Sequence, residues 1–421
     1  MLDLAAASAR VLDALRSVGD EEIALADAAG RVLAVEVRSE IALPPWDNSA
    51  MDGYAVRAAD VAAATPERPV ALRVVGTIAA GQRSARVVQG GEAMRIMTGA
   101  PLPSGADCVI RVEDTDHGTS TVRIASARDV GRNVRPRGED VDAGAIVAER
   151  GTVVGAGLLA LLAGAGRARV RVARRPVVAI VGSGDELTTV EDFGAVRRGE
   201  RIVATNGYAL SAIIREAGGE VLDLGVAPDE RTAIRALMAE GAQRADLLVT
   251  TAGVSVGEHD HTKAIVEELG AVAFWRISAR PGSQLAFGNI GATPWLGLPG
   301  NPVSAAITGE LFVRPAVLRL QGVEAVYRAP INVRLGARVQ GAAGMALLLR
   351  ARLLPYAGGF LAELTGAQGS GLMSSMARAD VLLVIPADAG TLDAGAMVAA
   401  IPLHGAVAMD RVLRLAPQAS E

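Results

Sequence analysis

Residues 3 to 17 set apolar side chains at Leu4, Val11, Leu12 and Leu15, a helical spacing that buries one face. From about residue 45 to 142 the pattern shortens to β-rich runs such as VALRVV (70–75) and TVRIA (121–125), broken by Gly and Pro turns, which predicts a small β domain. The run VVGAGLLALLA (153–163) returns to helix and leads into the basic link RVARRP (171–176). The β segment therefore lies between two helical stretches and reads as an insertion.

Between 176 and 321 the rhythm is clearest. The apolar runs PVVAIVG, EVLDLG, DLLVTT and PWLGLP each end in a loop followed by a helical segment, the pattern of a doubly wound α/β domain. Caps are expected at Asn206, Asp229, Asp260 and Asn301, the last with Pro302 at the first helical position. Beyond about 323 the runs INVRLGARV, VLLVIP and MVAAIPL, with Gly-rich breaks, predict a second small β domain. The expected fold class is thus a multidomain α/β protein: a doubly wound α/β domain, a helical part and two small β domains.

Composition narrows the function. A chain of 421 residues is long for one core at roughly 150 residues per domain, so a site between domains is expected. The net charge of −4 and the lack of a basic run interleaved with aromatics argue against nucleic acid as the main partner. Cys108 is alone, which removes a disulfide framework or CxxC metal pair and suits a reducing cytoplasm. No stretch of about 18 apolar residues suggests a membrane span, and the N-terminus lacks the basic and apolar regions of an export signal.

In open α/β sheets ligands bind beyond the carboxyl ends of the strands, where helix N-termini offer N–H groups. That edge is expected to collect Ser183, Gly184, Asp185 and Glu186, then Asp229, then Glu258 and Asp260, then Gly300 and Asn301. So many carboxylates suit a phosphate bridged to the protein by Mg²⁺ better than a bare anion. Taken singly, Asp229 and Asp260 also read as helix caps. His259 and His261 with one Asp and no nearby Cys are an incomplete zinc set. IVGSGDEL is a poor dinucleotide turn, because Leu187 stands where a third glycine belongs. Lys263 is the only lysine among 42 Lys plus Arg, and it closes the stretch TAGVSVGEHDHTK (251–263). Two stretches of the first β segment, PPWDNSAMDGYAVR (44–57) and AMRIMTGAPLP (93–103), read alone as hairpin chemistry.

Read in chain order, DNSAMDGYA, RIMTGAP, RGEDV, GDE, GVSVGE-x-D-x-TK and LPGNPVSA resemble the molybdopterin molybdenumtransferase family, MoeA and the E domain of gephyrin. The resemblance spans about residues 3 to 403. It implies a discontinuous helical domain from residues 1–44 and 143–174, an inserted β domain over 45–142, a MogA-like α/β domain over 175–322 and a C-terminal β domain over 323–421. It also implies a homodimer whose cleft joins the α/β domain of one subunit to β-domain loops of the other. The implied reaction inserts molybdate into adenylated molybdopterin with Mg²⁺ and releases AMP, which makes a molybdopterin adenylyltransferase an implied partner.

By motif matching, Asp52, Thr98, Glu186, Asp229 and Asp260 take the functional positions, with Glu186, Asp229 and Asp260 toward the metal. Ser183, Gly184, Asp185, Asn206, Gly253, Ser255, Gly257, Lys263, Arg276, Arg280, Ser283, Pro299, Gly300, Asn301 and Pro302 are the implied substrate contacts. The chain departs from the family where WRISARPGSQ (275–284) replaces the pattern WKxxxKPGKP, with Arg276, Arg280, Ser283 and Gln284 at the lysine-rich positions. Val203-Ala204 also lacks an expected acidic residue. Two further readings stay open: a paralogue that handles tungstate or a modified pterin, and a non-catalytic cofactor-binding scaffold.

Overall fold

The computed structural model describes residues 1–252, 261–356 and 359–403. The chain divides into two compact units. One comprises residues 1–21, 30–34 and the chain from 172 onward; the other comprises 22–29 and 35–171.

The larger unit is built on a six-stranded sheet. Its strands are β1 (Val177–Ser183), β2 (Glu220–Ala227), β3 (Leu247–Thr251), β4 (Gly270–Trp275), β5 (Ala286–Ile290) and β6 (Thr293–Leu298), in the order β2-β1-β3-β6-β5-β4. β2, β1, β3 and β6 run parallel, and β5 and β4 close the edge antiparallel. The interleaved helices are α1 (Thr205–Glu216), α2 (Arg231–Arg244), α3 (His261–Leu269) and α4 (Pro302–Thr308). Both faces are covered, which explains the continuous apolar runs. Val178, Ile180, Leu247, Val249, Leu296 and Leu298 point into the core with α1 and α4, whereas Ala179, Val181, Leu248 and Trp295 point into the core with α2 and α3. Trp295, fully buried, satisfies its indole by donating from Nε1 to Thr250 Oγ1 at 3.0 Å.

The helix caps fall near their expected places, with shifts. Asn301 caps α4 and Pro302 begins it. α1 starts at Thr205 rather than after Asn206, whose Nδ2 instead donates to the Gly300 carbonyl at 2.8 Å. α2 starts after Glu230, because Asp229 is held by the neighbouring loop. The Asp260 cap lies outside the described residues. α4 runs through a single π-helical turn (Gly309–Val313) into a helix over Arg314–Leu320. The amphipathic N-terminal helix spans Leu4–Ala14 and is capped by Asp3, whose side chain accepts from Ala6 N at 2.7 Å. Its buried Ala7 and Val11 join the core shared with α1 and α4.

The C-terminal strands close into a small barrel. Ala346–Tyr356 pairs with Gly359–Leu364 on one side and Val381–Ile385 on the other, and Ile331–Leu335 and Met397–Pro402 complete the ring. The short strand Ala279–Arg280 adds in parallel to Ala346–Tyr356, so the loop between β4 and β5 joins the barrel sheet. That pairing positions the site. In the smaller unit, Cys108–Arg111, Gly53–Val56, Glu92–Ile96, Val70–Ile78 and Thr121–Ile124 form a five-stranded sheet over the core of Tyr54, Val56, Ile110 and Ile124, and the short helix Ala156–Gly164 belongs to this unit. No helix among the described residues is long and apolar enough to cross a membrane.

Candidate functional site

Strand order reverses between β1 and β3, and a cavity of about 530 Å³ opens there over the carboxyl ends of the strands. Its wall includes Ser183 at the end of β1 and Glu186 after it, Asn206 on α1, Thr251 at the end of β3 and Ala252 after it, and Gly300 and Asn301 between β6 and α4 with Pro302 at the start of α4. Gly253, Ser255, Gly257, Glu258, His259 and Asp260 lie outside the described residues.

The loop after β1 is shaped by Gly184. Its φ of 143° lies in the region reserved for glycine, and a Cβ there would meet the Glu186 carboxylate at 2.6 Å. The Glu186 carboxylate thus lies against bare backbone at the cavity wall. Asp185 and Asp229 clasp the loops after β1 and β2 reciprocally: Asp229 N donates to Asp185 Oδ1 at 3.1 Å and Asp185 N to Asp229 Oδ2 at 3.4 Å. Each carboxylate keeps a second oxygen. Ala252, at φ 75°, turns the chain sharply at the end of β3, a strained backbone at the cavity rim.

A second cavity of about 700 Å³ lies between the α/β domain and the barrel. Arg280, Ser283, Pro299, Gln340 and Gln368 line it, and Gln284 and Asn301 line both cavities. The two spaces meet there. Arg276, at φ 114°, and Lys263 line neither. Lys263 is exposed, with Nζ 3.8 Å from Glu267 and 5.9 Å above the Trp275 ring.

One residue beside the second cavity escaped the sequence reading. Arg350, fully buried on the barrel strand, donates from Nε to Ser375 Oγ at 3.1 Å and from Nη2 to the Gly369 carbonyl at 3.2 Å, while its buried Nη1 has no partner. Burial without a carboxylate depresses its pKa. The available signal was the pair Arg350 and Arg352 inside the apolar run ALLLRARLL, of which Arg350 is buried and Arg352 exposed.

In the smaller unit Asp52 and Thr98 do meet. Thr98 donates to Asp52 Oδ1 from both its backbone N and its Oγ1, each at 2.7 Å. Those hydrogen bonds, with a smaller contribution from Arg95, hold the Asp52 carboxyl below the usual range despite some desolvation.

Hard oxygens are among the donors available at the first cavity: the Glu186 and Asp223 carboxylates and the Thr251 hydroxyl, with the second oxygens of Asp185 and Asp229 on the adjoining loops. Among the described residues no three His, Cys, Asp or Glu side chains gather as a metal cluster. One carboxylate completed by phosphate oxygens and water is a donor set that Mg²⁺ accepts, so the residues present fit that ion.

Comparison with known proteins shows the family. Residues 2–166 match the model of the MoeA N-terminal region (domain I and II), 179–319 a probable molybdopterin binding domain, and 332–403 the MoeA C-terminal region (domain IV). The chain is 34% identical to the molybdopterin molybdenumtransferase of Haemophilus influenzae, over 96% of this chain and 99% of that one. It is 35% identical to molybdopterin molybdenumtransferase 2 of Mycobacterium tuberculosis, over 91% and 95% respectively. The crystal structure of the molybdopterin biosynthesis moeA protein of Pyrococcus horikoshii OT3 superposes with a TM-score of 0.84 at 26% identity, covering 96% of this chain and 100% of that one. From its amino-terminal to its carboxyl-terminal region, the chain belongs to the MoeA family of molybdenum cofactor biosynthesis, the molybdopterin molybdenumtransferases.

Proposed function

We propose that this transferase inserts molybdate into the dithiolene of adenylated molybdopterin and releases AMP. The observation that carries the reading is the junction at Gln284 and Asn301 of two cavities with opposite chemistry. The first presents carboxylate and hydroxyl oxygens and the start of α4, which suit a metal-bridged phosphoanhydride. The second presents the Arg280 guanidinium and the Ser283 hydroxyl, which suit a tetrahedral oxyanion. A substrate spanning the junction has its phosphates in one and its dithiolene facing the other.

Each group then has a role. Glu186, with Asp229 and Asp260, would hold Mg²⁺, which would supply charge neutralisation to the phosphoanhydride. Asn301 orients the phosphate at the junction, and Pro299 and Pro302 stiffen the turn that carries it. Arg280 receives the oxyanion through its fork of N–H donors. The chain works as a homodimer in the cytoplasm, the Asp52–Thr98 pair of a second copy completing the cleft, and an adenylyltransferase supplies its substrate.

AMP release from adenylated molybdopterin, measured with and without molybdate and Mg²⁺, tests the reaction; absence of release under all conditions overturns it. Sedimentation at micromolar concentration tests the dimer, since a fully active monomer would exclude a shared cleft. The replacement of family lysines by WRISARPGSQ keeps a tungstate-handling paralogue as the second reading, decided by which oxyanion lowers the half-saturating concentration.

A further inference from the structure

A third, much smaller space shares no lining residue with either cavity. Its volume is about 40 Å³, and it lies between the π turn with the helix that follows, the segment 321–330 and the barrel strand Met397–Pro402. Glu310, Arg314 and Arg328 are its charged walls; Pro315, Val326, Ile401 and Leu403 are apolar. Both guanidiniums are under-used. Arg314 donates from Nη1 to the Val326 carbonyl at 3.2 Å and Arg328 from Nη2 to Glu216 Oε1 at 2.7 Å, yet the buried Nε of each has no hydrogen-bond partner among the described residues. Glu310 does not supply one, because its Oε2 stands 3.8 Å from Arg328 Nε, beyond hydrogen-bonding reach. The Tyr327 hydroxyl, also at the wall, is engaged with Ser8 on the N-terminal helix.

Buried N–H donors left unmet are costly, so this space calls for an acceptor. The charge balance says which kind. Arg314 and Arg328 face Glu216 and Glu310, and burial pushes Glu310 up to about 6. With Glu310 protonated, two cations stand against one carboxylate, and one negative charge is wanting. Two donors against apolar walls suit a single small atom; most oxygens of a tetrahedral oxyanion would go unmet there. We propose that the space between Arg314 and Arg328 is a binding site for one halide ion, chloride in solution, held by the two Nε–H groups and taken up together with a proton on Glu310. The ion fastens the π turn to the segment 321–330 and to the barrel, so it acts on stability and not on turnover.

Thermal unfolding of the full chain in sodium chloride or sodium gluconate at equal ionic strength, at pH 5 and pH 8, tests the site, with a crystal soaked in bromide at pH 5 as the direct readout. Chloride is expected to raise Tm above gluconate, and its half-saturating concentration to be at least roughly tenfold lower at pH 5 than at pH 8, because only the protonated form accepts the ion. An anomalous bromide peak is expected between Arg314 and Arg328. Glu310→Gln, neutral at either pH, should respond to chloride equally at both. Arg314→Lys, which keeps the charge and loses the Nε–H, should need roughly tenfold more chloride. Equal melting temperatures of wild type in chloride and gluconate at pH 5, or a bromide map without the peak, show that water alone occupies the space and overturn the site. A pH-dependent chloride response that persists in Glu310→Gln overturns the coupling to this proton. Should Arg314→Lys fail to fold, the bromide map and Glu310→Gln decide.

Discussion

The two cavities meet at Gln284 and Asn301 yet are assembled by different rules. The first is a property of the doubly wound sheet: the reversal between β1 and β3 opens a crevice, and loops after β1, β2 and β6 bring carboxylates and helix starts to it. The second exists only because Ala279–Arg280 joins the barrel strand Ala346–Tyr356. Its lining cation, Arg280, comes from a loop of one domain, while Gln340 and Gln368 come from the other. A sheet edge thus supplies a crevice wherever such a fold occurs, which this chain lines with Glu186 and Asp223, whereas the cationic half depends on one inter-sheet pairing. Binding of metal-bridged phosphate and binding of oxyanion should then be separable by mutation.

The largest expected effect is at the sheet edge. Glu186→Ala should lower AMP release by about a hundredfold or more, as loss of one preorganised electrostatic contact does, while the half-saturating molybdate concentration of the residual activity stays within about twofold. A parallel shift in both quantities would show that the cavities act as one and break the comparison.

Next in size is a titration that belongs to neither cavity. Glu310, on the π turn, is pushed up to about 6 by burial, with Arg328, Glu216 and Arg314 as charged neighbours. Because the folded pKa lies above the ordinary 4.5, the fold binds the proton more tightly than the unfolded chain. The associated stability is present below about 4.5 and is lost as pH rises through about 6, amounting to about 2 kcal/mol at most. Glu310→Gln should flatten thermal stability between those values and stabilise the protein above them by about 1–2 kcal/mol. It should not move the pH profile of AMP release; if it does, this cluster is coupled to the site.

Arg280→Ala should raise the half-saturating oxyanion concentration by roughly tenfold, and Arg280→Lys by less, since a single charge survives. AMP binding should not change in either, and an oxyanion response unaltered in Arg280→Ala removes this segment from the oxyanion site. Ser283→Lys is expected to act in the opposite direction and more weakly, tightening oxyanion by a few-fold at low salt and by less as ionic strength screens the added charge. Tightening that is independent of salt would mean that the lysine acts through packing.

Much of the architecture was legible in the chain. PVVAIVG, DLLVTT and PWLGLP announced strands buried on both faces, and Asn301-Pro302 announced the start of α4, because apolar length and helix-start chemistry are local properties. Cap positions slipped at Asn206 and Asp229. Their side chains found non-local partners, Gly300 and Asp185, that compete with their own helix ends. Glu186 and Asn301 were also legible, since strand ends gather at one edge. Asp223, Arg350 and Glu310 were not. Asp223 reads as a polar position in EVLDLG, and its place in the cavity wall follows from the packing of α1 against β2.

What the sequence alone determined is the set of elements: alternating buried strands and capped helices, flanked by two groups of short β runs, with motifs specific enough to carry a family. Local backbone preference and apolar periodicity suffice for that. The tertiary structure alone decided which of the marked residues share a space: Arg280 and Ser283 with the barrel, Glu186 with Asn206 and Asn301, Lys263 and Arg276 with neither. The reason is physical. A cavity is the volume left between elements after their apolar faces have packed, so its walls come from contacts distant in the chain, and no short-range pattern records them.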